Sequence, residues 1–198
     1  MAVYDNDING GASSNANSTG ILIETAADQI ITDNTIDGGT GHNQSRGFFI
    51  SYPLASTSVI ARNNINGGSC TSGSFGFYIW NTRPSTSLQV VIHSNYINAG
   101  AGAYAYGIYA YGLADEQKIE PRIFNNVIEA SGADQRAFGI NLEDVDGSPL
   151  VYNNTIAISS VNDQSYGIFT EGESSQQTIA DIRNNIILCE STVNHDFG

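Results

Sequence analysis

Apolar and polar positions recur along this chain at intervals of 28 to 32 residues. In each interval an Asn is followed two residues later by Ile and is preceded three residues earlier by Val or Ile. The seven Asn residues are Asn6, Asn34, Asn63, Asn95, Asn126, Asn154 and Asn185. A Gly follows each of the first six by 12 to 14 positions, at Gly20, Gly47, Gly76, Gly107, Gly139 and Gly167. Repeats of this length are typical of solenoids, in which each unit buries its apolar face against its neighbours.

Each unit reads as three short strands. The first opens with the Gly, as in Gly76–Ile79, the second leads into the Asn, as in Val91–Asn95, and the third surrounds the following Ile. These runs are rich in β-branched and aromatic residues and are bounded by turn formers, and no helical period persists over about ten positions. Like strands stacked in parallel predict an all-β fold, a parallel β-helix of about seven rungs with three short strands per rung. The prediction is a single domain over residues 1–198.

The repeated Asn has a physical role at the corner between two strands. A sharp corner needs left-handed backbone angles, which Asn tolerates better than most residues. Its side-chain amide can also bond to the equivalent residue one rung away, as Asn does in stacked sheets. We therefore predict that the seven Asn residues form a structural ladder along the solenoid and that each takes the left-handed corner.

The chain resembles a known group of proteins over essentially all of its 198 residues. The Asn-x-Ile corner, strand segments such as Ile123–Ile128 and Gly-Gly loops such as Asp37–Gly39 are similar to the repeats of bacterial surface and secreted β-helix proteins of the pectate-lyase-like superfamily. The resemblance implies a right-handed, single-stranded β-helix and an extracellular or cell-surface location, with any export signal outside these residues. It leaves function open, because that superfamily holds lyases, hydrolases, epimerases, adhesins and stalks. The catalytic motifs of its enzymes are missing here.

Composition limits the partners. The net charge is −13 with only seven Lys and Arg residues, which excludes nucleic acid and anionic membranes as partners. No apolar stretch approaches the roughly 18 residues of a membrane-spanning helix, so membrane insertion is not expected. Neither end of the repeat has a recognisable cap, which predicts a segment of a longer solenoid or end-to-end self-association. Cys70 and Cys189 lie on units too far apart for a disulfide and are predicted to be free thiols.

Side chains on the Gly-led strand are expected to alternate between interior and exterior. If Phe48, Ile50 and their equivalents point inward, two outward columns lie side by side, and most of their positions are apolar or aromatic. The resulting predicted strip comprises Phe49, Tyr78, Trp80, Tyr109, Tyr111, Asn141 and Phe169. An exposed aromatic strip is typical of a binding surface and suits ring stacking on sugars. The alternatives are that loops cover these rings or that a second subunit binds there.

Acidic residues gather at the end of the same strands on three consecutive units. They are Asp115 and Glu116, then Glu143, Asp144 and Asp146, then Glu171 and Glu173. Clustered carboxylates can hold Ca²⁺, for which the candidates are Asp115, Glu116, Asp144, Asp146 and Glu173. Glu143 and Glu171, about 5 Å apart on adjacent rungs, would alternatively suit a retaining glycosidase. A third interpretation is a solvated acidic edge that serves solubility.

These observations favour a non-catalytic function. We predict an extracellular β-helix module that binds a glycan or a protein surface through the predicted strip and needs no cofactor, with Ca²⁺ as the only candidate. The first alternative is a polysaccharide-degrading hydrolase or lyase that acts through Glu143, Glu171 or the nearby Asp144. The second alternative is a purely structural surface stalk that binds no ligand.

Overall fold

The computed structural model describes residues 2–24, 28–51, 56–81, 87–112, 118–145, 147–160, 164–172, 179–191 and 196–197. Within these residues the chain is all-β and winds as a parallel β-solenoid, and none of it forms a helix that could cross a membrane. One sheet contains seven strands, here numbered in chain order: β1 (Ala2–Tyr4), β4 (Ile30–Thr32), β7 (Ser56–Ala61), β10 (Ser87–His93), β13 (Lys118–Phe124), β15 (Leu150–Tyr152) and β18 (Asp181–Arg183).

The second sheet combines the two other strands of each unit. Strands at the Asn-x-Ile corner are β2 (Asp7–Asn9), β5 (Thr35–Asp37), β8 (Asn64–Asn66), β11 (Tyr96–Asn98), β14 (Val127–Glu143), β16 (Thr155–Ser160) and β19 (Ile186–Ser191). The strands at the position of the Gly-led strand are β3 (Ser18–Glu24), β6 (Gln44–Ser51), β9 (Gly73–Asn81), β12 (Gly102–Gly112), β17 (Ser165–Glu171) and β20 (Asp196–Phe197). Strand β14 runs without a break through both positions of its unit and thereby joins the two groups into one sheet.

Like strands pair in register from one unit to the next, and the pairings among the described residues are parallel. Ile60, Ile92 and Ile123, for example, are aligned across β7, β10 and β13. Adjacent strands in a sheet are about 4.8 Å apart, so side chains at equivalent positions form columns along the solenoid. The predicted parallel stacking of like strands is confirmed.

The inward columns form one continuous hydrophobic core. Phe48 and Phe77 are fully buried there, and their rings stack with centroids 4.7 Å apart. The positions predicted to point inward are buried in β6, β9, β12 and β14. In β17, Ile168 and Thr170 pair in register with the inward Ile140 and Leu142, yet Ile168 is only half-buried and Thr170 is exposed. The reason is that β20 covers only the beginning of β17.

The solenoid has about five turns rather than the seven predicted. Five ladder residues are buried, namely Asn34, Asn63, Asn95, Asn126 and Asn154. Asn6 is exposed and Asn185 is half-buried, because each has an equivalent residue on one side only. The sequence therefore contains seven Asn-x-Ile units, but only five of them have their ladder Asn buried within the described solenoid.

The buried Asn residues form the predicted ladder. Oδ1 of Asn126 accepts hydrogen bonds from the backbone N–H of Asn95 at 3.0 Å and from its Nδ2 at 3.1 Å. Nδ2 of Asn126 donates to the carbonyl of Ile92 at 2.9 Å. The same side-chain contacts repeat from Asn6 to Asn185. The ladder thus satisfies buried backbone groups at each corner and joins every unit to the next.

The left-handed backbone position lies one residue before each ladder Asn. Positive φ angles of 53° to 61° occur at Asp5, Asp33, Arg62, Ser94, Asn125, Asn153 and Asn184. The prediction that the ladder Asn itself takes the left-handed corner is therefore wrong. The seven corner residues are exposed, so the chain turns at a solvated position and the following Asn can direct its amide into the interior.

Neither cysteine is part of a disulfide. Cys70 and Cys189 are each half-buried. Burial raises the pKa of the Cys70 thiol above its usual range. That thiol therefore stays protonated at neutral pH, and the thiolate needed for metal binding or oxidation is disfavoured.

Candidate functional site

The Gly in each strand of the second sheet determines which side chains face outward. A Cβ on Gly76 would lie 2.5 Å from Cγ2 of Ile97, so this position faces the core and has no room for a side chain. The next residue, Phe77, is fully buried as well. Because two consecutive residues point inward, the flanking residues Phe75 and Tyr78 both point outward, and their rings stack with centroids 4.8 Å apart.

This arrangement repeats along the sheet and produces two adjacent outward columns of rings, which we call the ring stack. The first column contains Phe75, Tyr106, Phe138 and Tyr166. The second column contains Phe49, Tyr78, Tyr109 and Phe169. Where rings follow one another within a column, their centroids are 4.8 to 5.1 Å apart, within the range of offset stacking. The interplanar angles of these outward pairs are 5° to 17°. Neighbouring rings therefore cover much of one another's faces.

Asn141 interrupts the second column of the ring stack. It pairs in register with Tyr109 on one side and with Phe169 on the other, so a small polar side chain stands where its neighbours have rings. Phe169 is turned edge-on, at 63° to the ring of Tyr166 and 69° to that of Phe138. The missing ring leaves a recess of about 170 Å³ in the sheet face, which we call the Asn141 groove.

Three polar side chains bring oxygen acceptors to the Asn141 groove. Oε2 of Glu143 accepts a hydrogen bond from the hydroxyl of Tyr109 at 2.6 Å, and Glu171 lies beside Glu143 on the next strand. Asn141 is 5% exposed, and its Oδ1 is buried without a hydrogen-bond partner among the described residues. An unmet buried acceptor costs about 1–3 kcal/mol. The other lining residues are Tyr106, Arg136, Phe138, Tyr166 and Phe169.

Arg46 takes the place of a ring at the opposite end of the first column. Its guanidinium carbon lies 4.4 Å from the ring centroid of Phe49 and 5.4 Å from that of Tyr78, in the range of cation–π contacts. Gln44 accepts a hydrogen bond from the same guanidinium. Burial lowers the pKa of Arg46, yet an arginine stays charged at physiological pH. The ring stack is therefore cationic at one end and carries carboxylates at the other.

The residues of the predicted strip are brought together on one sheet face, but they are less exposed than predicted. Phe49 is 7% exposed and Asn141 is 5% exposed. The other members, Tyr78, Trp80, Tyr109, Tyr111 and Phe169, are half-buried. Trp80 and Tyr111 pair in register in a third column that continues to Glu143 and Glu171.

One column of the ring stack was missed by sequence reasoning. Its members are Phe75, Tyr106, Phe138 and Tyr166. Strict alternation counted back from the buried residue after each Gly would place this column in the interior. Because the Gly and the residue after it both point inward, the residue before the Gly points outward instead. The available signal was an aromatic residue immediately before each of four consecutive Gly residues in the repeat.

The predicted calcium ligands are mostly outside the described part of the chain. Asp115, Glu116, Asp146 and Glu173 all lie there, so the structure describes none of these four. Asp144 is half-buried and its backbone N–H donates to the carbonyl of Glu171 at 2.9 Å. Among the residues that the structure describes, no group of three or more His, Cys, Asp or Glu side chains is placed to hold a metal ion.

A second groove of about 300 Å³ lies on the seven-stranded sheet. It is lined by Leu150, Tyr152, Asn153, Asp181, Arg183 and Asn184. The charges in it satisfy each other, because the guanidinium of Arg183 donates to both carboxylate oxygens of Asp181. Tyr152 stacks on Phe124 with centroids 4.9 Å apart. No buried polar group among the described residues of this second groove lacks a partner, so the Asn141 groove is the stronger candidate site.

Two tyrosine hydroxyls near the Asn141 groove are held in the protonated form. Burial raises the pKa of Tyr106 to about 12, and the charge of Glu143 acts in the same direction. Burial also raises the pKa of Tyr109, and its hydrogen bond to Glu143 adds to this effect. Both hydroxyls therefore act as donors across the physiological range of pH.

We expect the protein to lose stability as the pH rises from about 10 toward the raised pKa of Tyr106, which is about 12. In this window the unfolded chain releases the Tyr106 proton and the folded chain keeps it, so unfolding becomes more favourable as the pH rises. Tyr106→Phe removes the titrating group and should make the decline shallower. Urea midpoints measured against pH for both proteins test this; identical slopes would contradict it.

Comparison with protein-family models, with curated proteins and with solved structures gave no match for this chain. The described parallel solenoid is consistent with a β-helix, but no family match supports membership of the pectate-lyase-like superfamily.

Proposed function

We propose that this chain is a non-catalytic extracellular β-helix module that binds a glycan in the Asn141 groove. The observation that carries the proposal is the interruption of the ring stack by Asn141, which opens a recess beside Glu143 and Glu171. A column with a ring at every position would leave no recess. The groove combines apolar ring surface with a buried acceptor that has no partner within the described residues.

A sugar unit has the chemistry that this groove complements. Its C–H faces are apolar and pack on aromatic rings, which Tyr109 and Phe169 supply at the break in the column. Its hydroxyl groups are donors for Asn141, Glu143 and Glu171. The recess of about 170 Å³ is smaller than the roughly 300–1,000 Å³ of pockets for drug-sized ligands. It is therefore suited to one sugar unit of a chain that continues over the neighbouring rings.

The proposed mechanism differs from stacking along the whole predicted strip. Rings inside the ring stack cover one another's faces, so a sugar meets their edges and hydroxyl groups. Face-to-ring contact is confined to the break between Tyr109 and Phe169. The remaining strip residues, Phe49, Tyr78, Trp80 and Tyr111, would form the flanking surface on which the rest of the glycan lies.

Filling the groove should abolish binding without unfolding the protein. Asn141→Phe places a ring in the interrupted column and removes the unmet Oδ1, so we expect glycan affinity to fall at least about tenfold and stability to stay equal or rise. Calorimetric titration with a panel of oligosaccharides, together with thermal melts, measures both quantities.

The matched control is Leu22→Phe, which adds a ring at the equivalent position of the first unit, on an exposed residue. It should leave glycan binding unchanged. Retained binding in Asn141→Phe, with the fold intact, would contradict the assignment of the groove as the glycan site.

A polysaccharide-degrading enzyme is the second candidate, and the adjacency of Glu143 and Glu171 favours it. Adjacent strands are about 4.8 Å apart, close to the roughly 5–5.5 Å between the carboxylates of retaining glycosidases. Against it, Glu143 is engaged by the Tyr109 hydroxyl. Chromatography of the oligosaccharide after incubation distinguishes the two functions. A non-catalytic module leaves the oligosaccharide at its original length, whereas an enzyme produces shorter products.

The wider setting is also part of the proposal. Connections between parallel strands are right-handed in about 98% of known cases, which supports a right-handed coil. A β-helix of the pectate-lyase-like type and a location outside the cell or on its surface both agree with the repeat. A protein surface instead of a glycan, Ca²⁺ at the acidic edge, end-to-end self-association and a ligand-free structural stalk are further alternatives.

A further inference from the structure

We infer that the Asn141 groove selects a glycan carrying a free, protonated amino group, such as a deacetylated hexosamine. This inference rests on the proposed glycan-binding function and names the class of sugar. It is carried by the hydrogen-bonding character, the charge and the aromatic walls of the groove.

Three of the polar side chains that line the groove present acceptors. Glu143 and Glu171 are neighbours in register, and ionised carboxylates accept hydrogen bonds without donating any. Oδ1 of Asn141 is a further acceptor, buried and without a partner among the described residues. The complementary ligand group is one that only donates. An ammonium group has three donors and no acceptor, which matches this set.

The walls of the groove favour a cation as well. Four of its lining residues are aromatic, namely Tyr106, Phe138, Tyr166 and Phe169. Tyr106, Phe138 and Tyr166 cover one another's faces, so a cation meets a free aromatic face only at the break in the column, beside Phe169. Such a face attracts an ammonium ion held within about 6 Å of the ring centroid. An ammonium group entering between the carboxylates would therefore meet favourable electrostatics from both the floor and the walls.

The overall charge of the protein also favours a cationic ligand. Arg136, which is exposed, is the one cationic residue among the described residues that line the groove, and Glu143 and Glu171 bring two carboxylates to the same lining. The chain as a whole carries a net charge of −13, which raises the local concentration of cationic ligands and lowers that of anionic ones. A uronic acid would bring its carboxylate toward Glu143 and Glu171, so acidic polysaccharides are disfavoured at this groove.

A matched pair of sugars tests the inference. Chito-oligosaccharides of one length are titrated calorimetrically in the fully deacetylated and the fully N-acetylated form, at a pH where the free amine is protonated. Losing a charge-assisted hydrogen bond typically costs about tenfold or more in affinity, so the deacetylated form should bind at least about tenfold more tightly. Raising the pH until the amine is neutral should remove that difference.

The substitution Glu171→Gln tests whether the preference for the deacetylated sugar depends on the carboxylate in the groove. It keeps the shape and removes the charge, so it should weaken binding of the deacetylated sugar about tenfold and leave the acetylated sugar unaffected. The control is Glu24→Gln, at the equivalent exposed position of the first unit, which should change neither affinity. An equal loss in both variants would show that overall charge, rather than the groove, attracts the amine.

The remaining outcomes also decide the question. Equal or tighter binding of the acetylated sugar overturns the amino-sugar inference and leaves the proposed glycan-binding function standing. Failure of both sugars, and of neutral oligosaccharides generally, overturns the proposed function itself. A lysine-rich peptide that binds as tightly as the deacetylated sugar would assign the groove to a protein ligand instead.

Discussion

Replacing Asn126 with Ala is expected to lower the free energy of unfolding by about 3–5 kcal/mol. Asn126 is 1% exposed, and its Oδ1 accepts from both the backbone N–H and the Nδ2 of Asn95. Its Nδ2 donates to the carbonyls of Ile92 and Phe124. The substitution leaves several buried groups unpaired at once, and each such group costs about 1–3 kcal/mol before the surroundings relax.

Chemical denaturation measures this loss, with Asn64→Ala as the control. Asn64 is exposed on β8, so its truncation should change the free energy of unfolding by less than about 0.5 kcal/mol. If Asn126→Ala proved as mild as the control, the ladder would not be a major source of stability. The account of the repeated Asn would then have to be abandoned.

Replacing Gly107 with Ala should destabilise the fold by about 2–3 kcal/mol, the upper part of the range for overpacked cores. The added Cβ would lie 2.5 Å from the carbonyl oxygen of Gly139 and would also collide with Cγ2 of Ile128. Because the first of these is a backbone atom of the adjacent strand, the clash cannot be relieved by turning one side chain. We expect the strands on either side of Gly107 to move apart.

Gly11→Ala separates this steric effect from the general cost of replacing glycine. Gly11 has a φ of 76°, and a Cβ there would meet no atom within 4 Å, so only the backbone conformation is penalised, by about 1–2 kcal/mol. Thermal and denaturant unfolding of the two variants should therefore rank Gly107→Ala as the less stable. The opposite order would mean that the close approach at Gly107 is readily relaxed.

The strands and the core could be predicted from the sequence because of the physics of a solenoid. Each unit contacts its neighbours at equivalent positions, so a period in the sequence becomes a column in the structure. Ile60, Ile92 and Ile123 share one place in the repeat and are aligned in the sheet. Their contacts follow directly from the spacing.

The conformation of the corner was not predictable from the repeat alone. Asn in the repeat was compatible with either a left-handed backbone or an inward amide, and the structure divides these roles between two adjacent residues. Asn125 takes the left-handed angle, with a φ of 54°, and Asn126 provides the buried amide. Since Arg62 and Ser94 occupy the same corner in other units, the left-handed position carries no constant residue type that would have revealed it.

The candidate site could be predicted only in part. The strip residues were found because outward rings recur at fixed spacing, but strict alternation would place the position before each Gly in the interior. The importance of Asn141 arises from a ring that is missing beside Tyr109 and Phe169, and that absence has meaning only once the columns are known. Local propensity contains no such information.

The architecture and the proposed function are linked through this one position. A repeat that stacks like on like fills its outward columns with rings and leaves a smooth face. The departure from the repeat at Asn141 creates a recess that is lined by acceptors and aromatic rings. In a solenoid of this kind, the residue that breaks a column is the place to look for a ligand.

The most direct test of the central claim is a nuclear magnetic resonance titration of the isotope-labelled protein with the sugar that binds best in calorimetry. We expect saturable shifts at the side-chain amide of Asn141 and at the backbone amides of Glu143 and Phe169, with little change at Tyr152 and Arg183 in the second groove. Shifts confined to the second groove, or no saturable shifts with any glycan, would contradict the account.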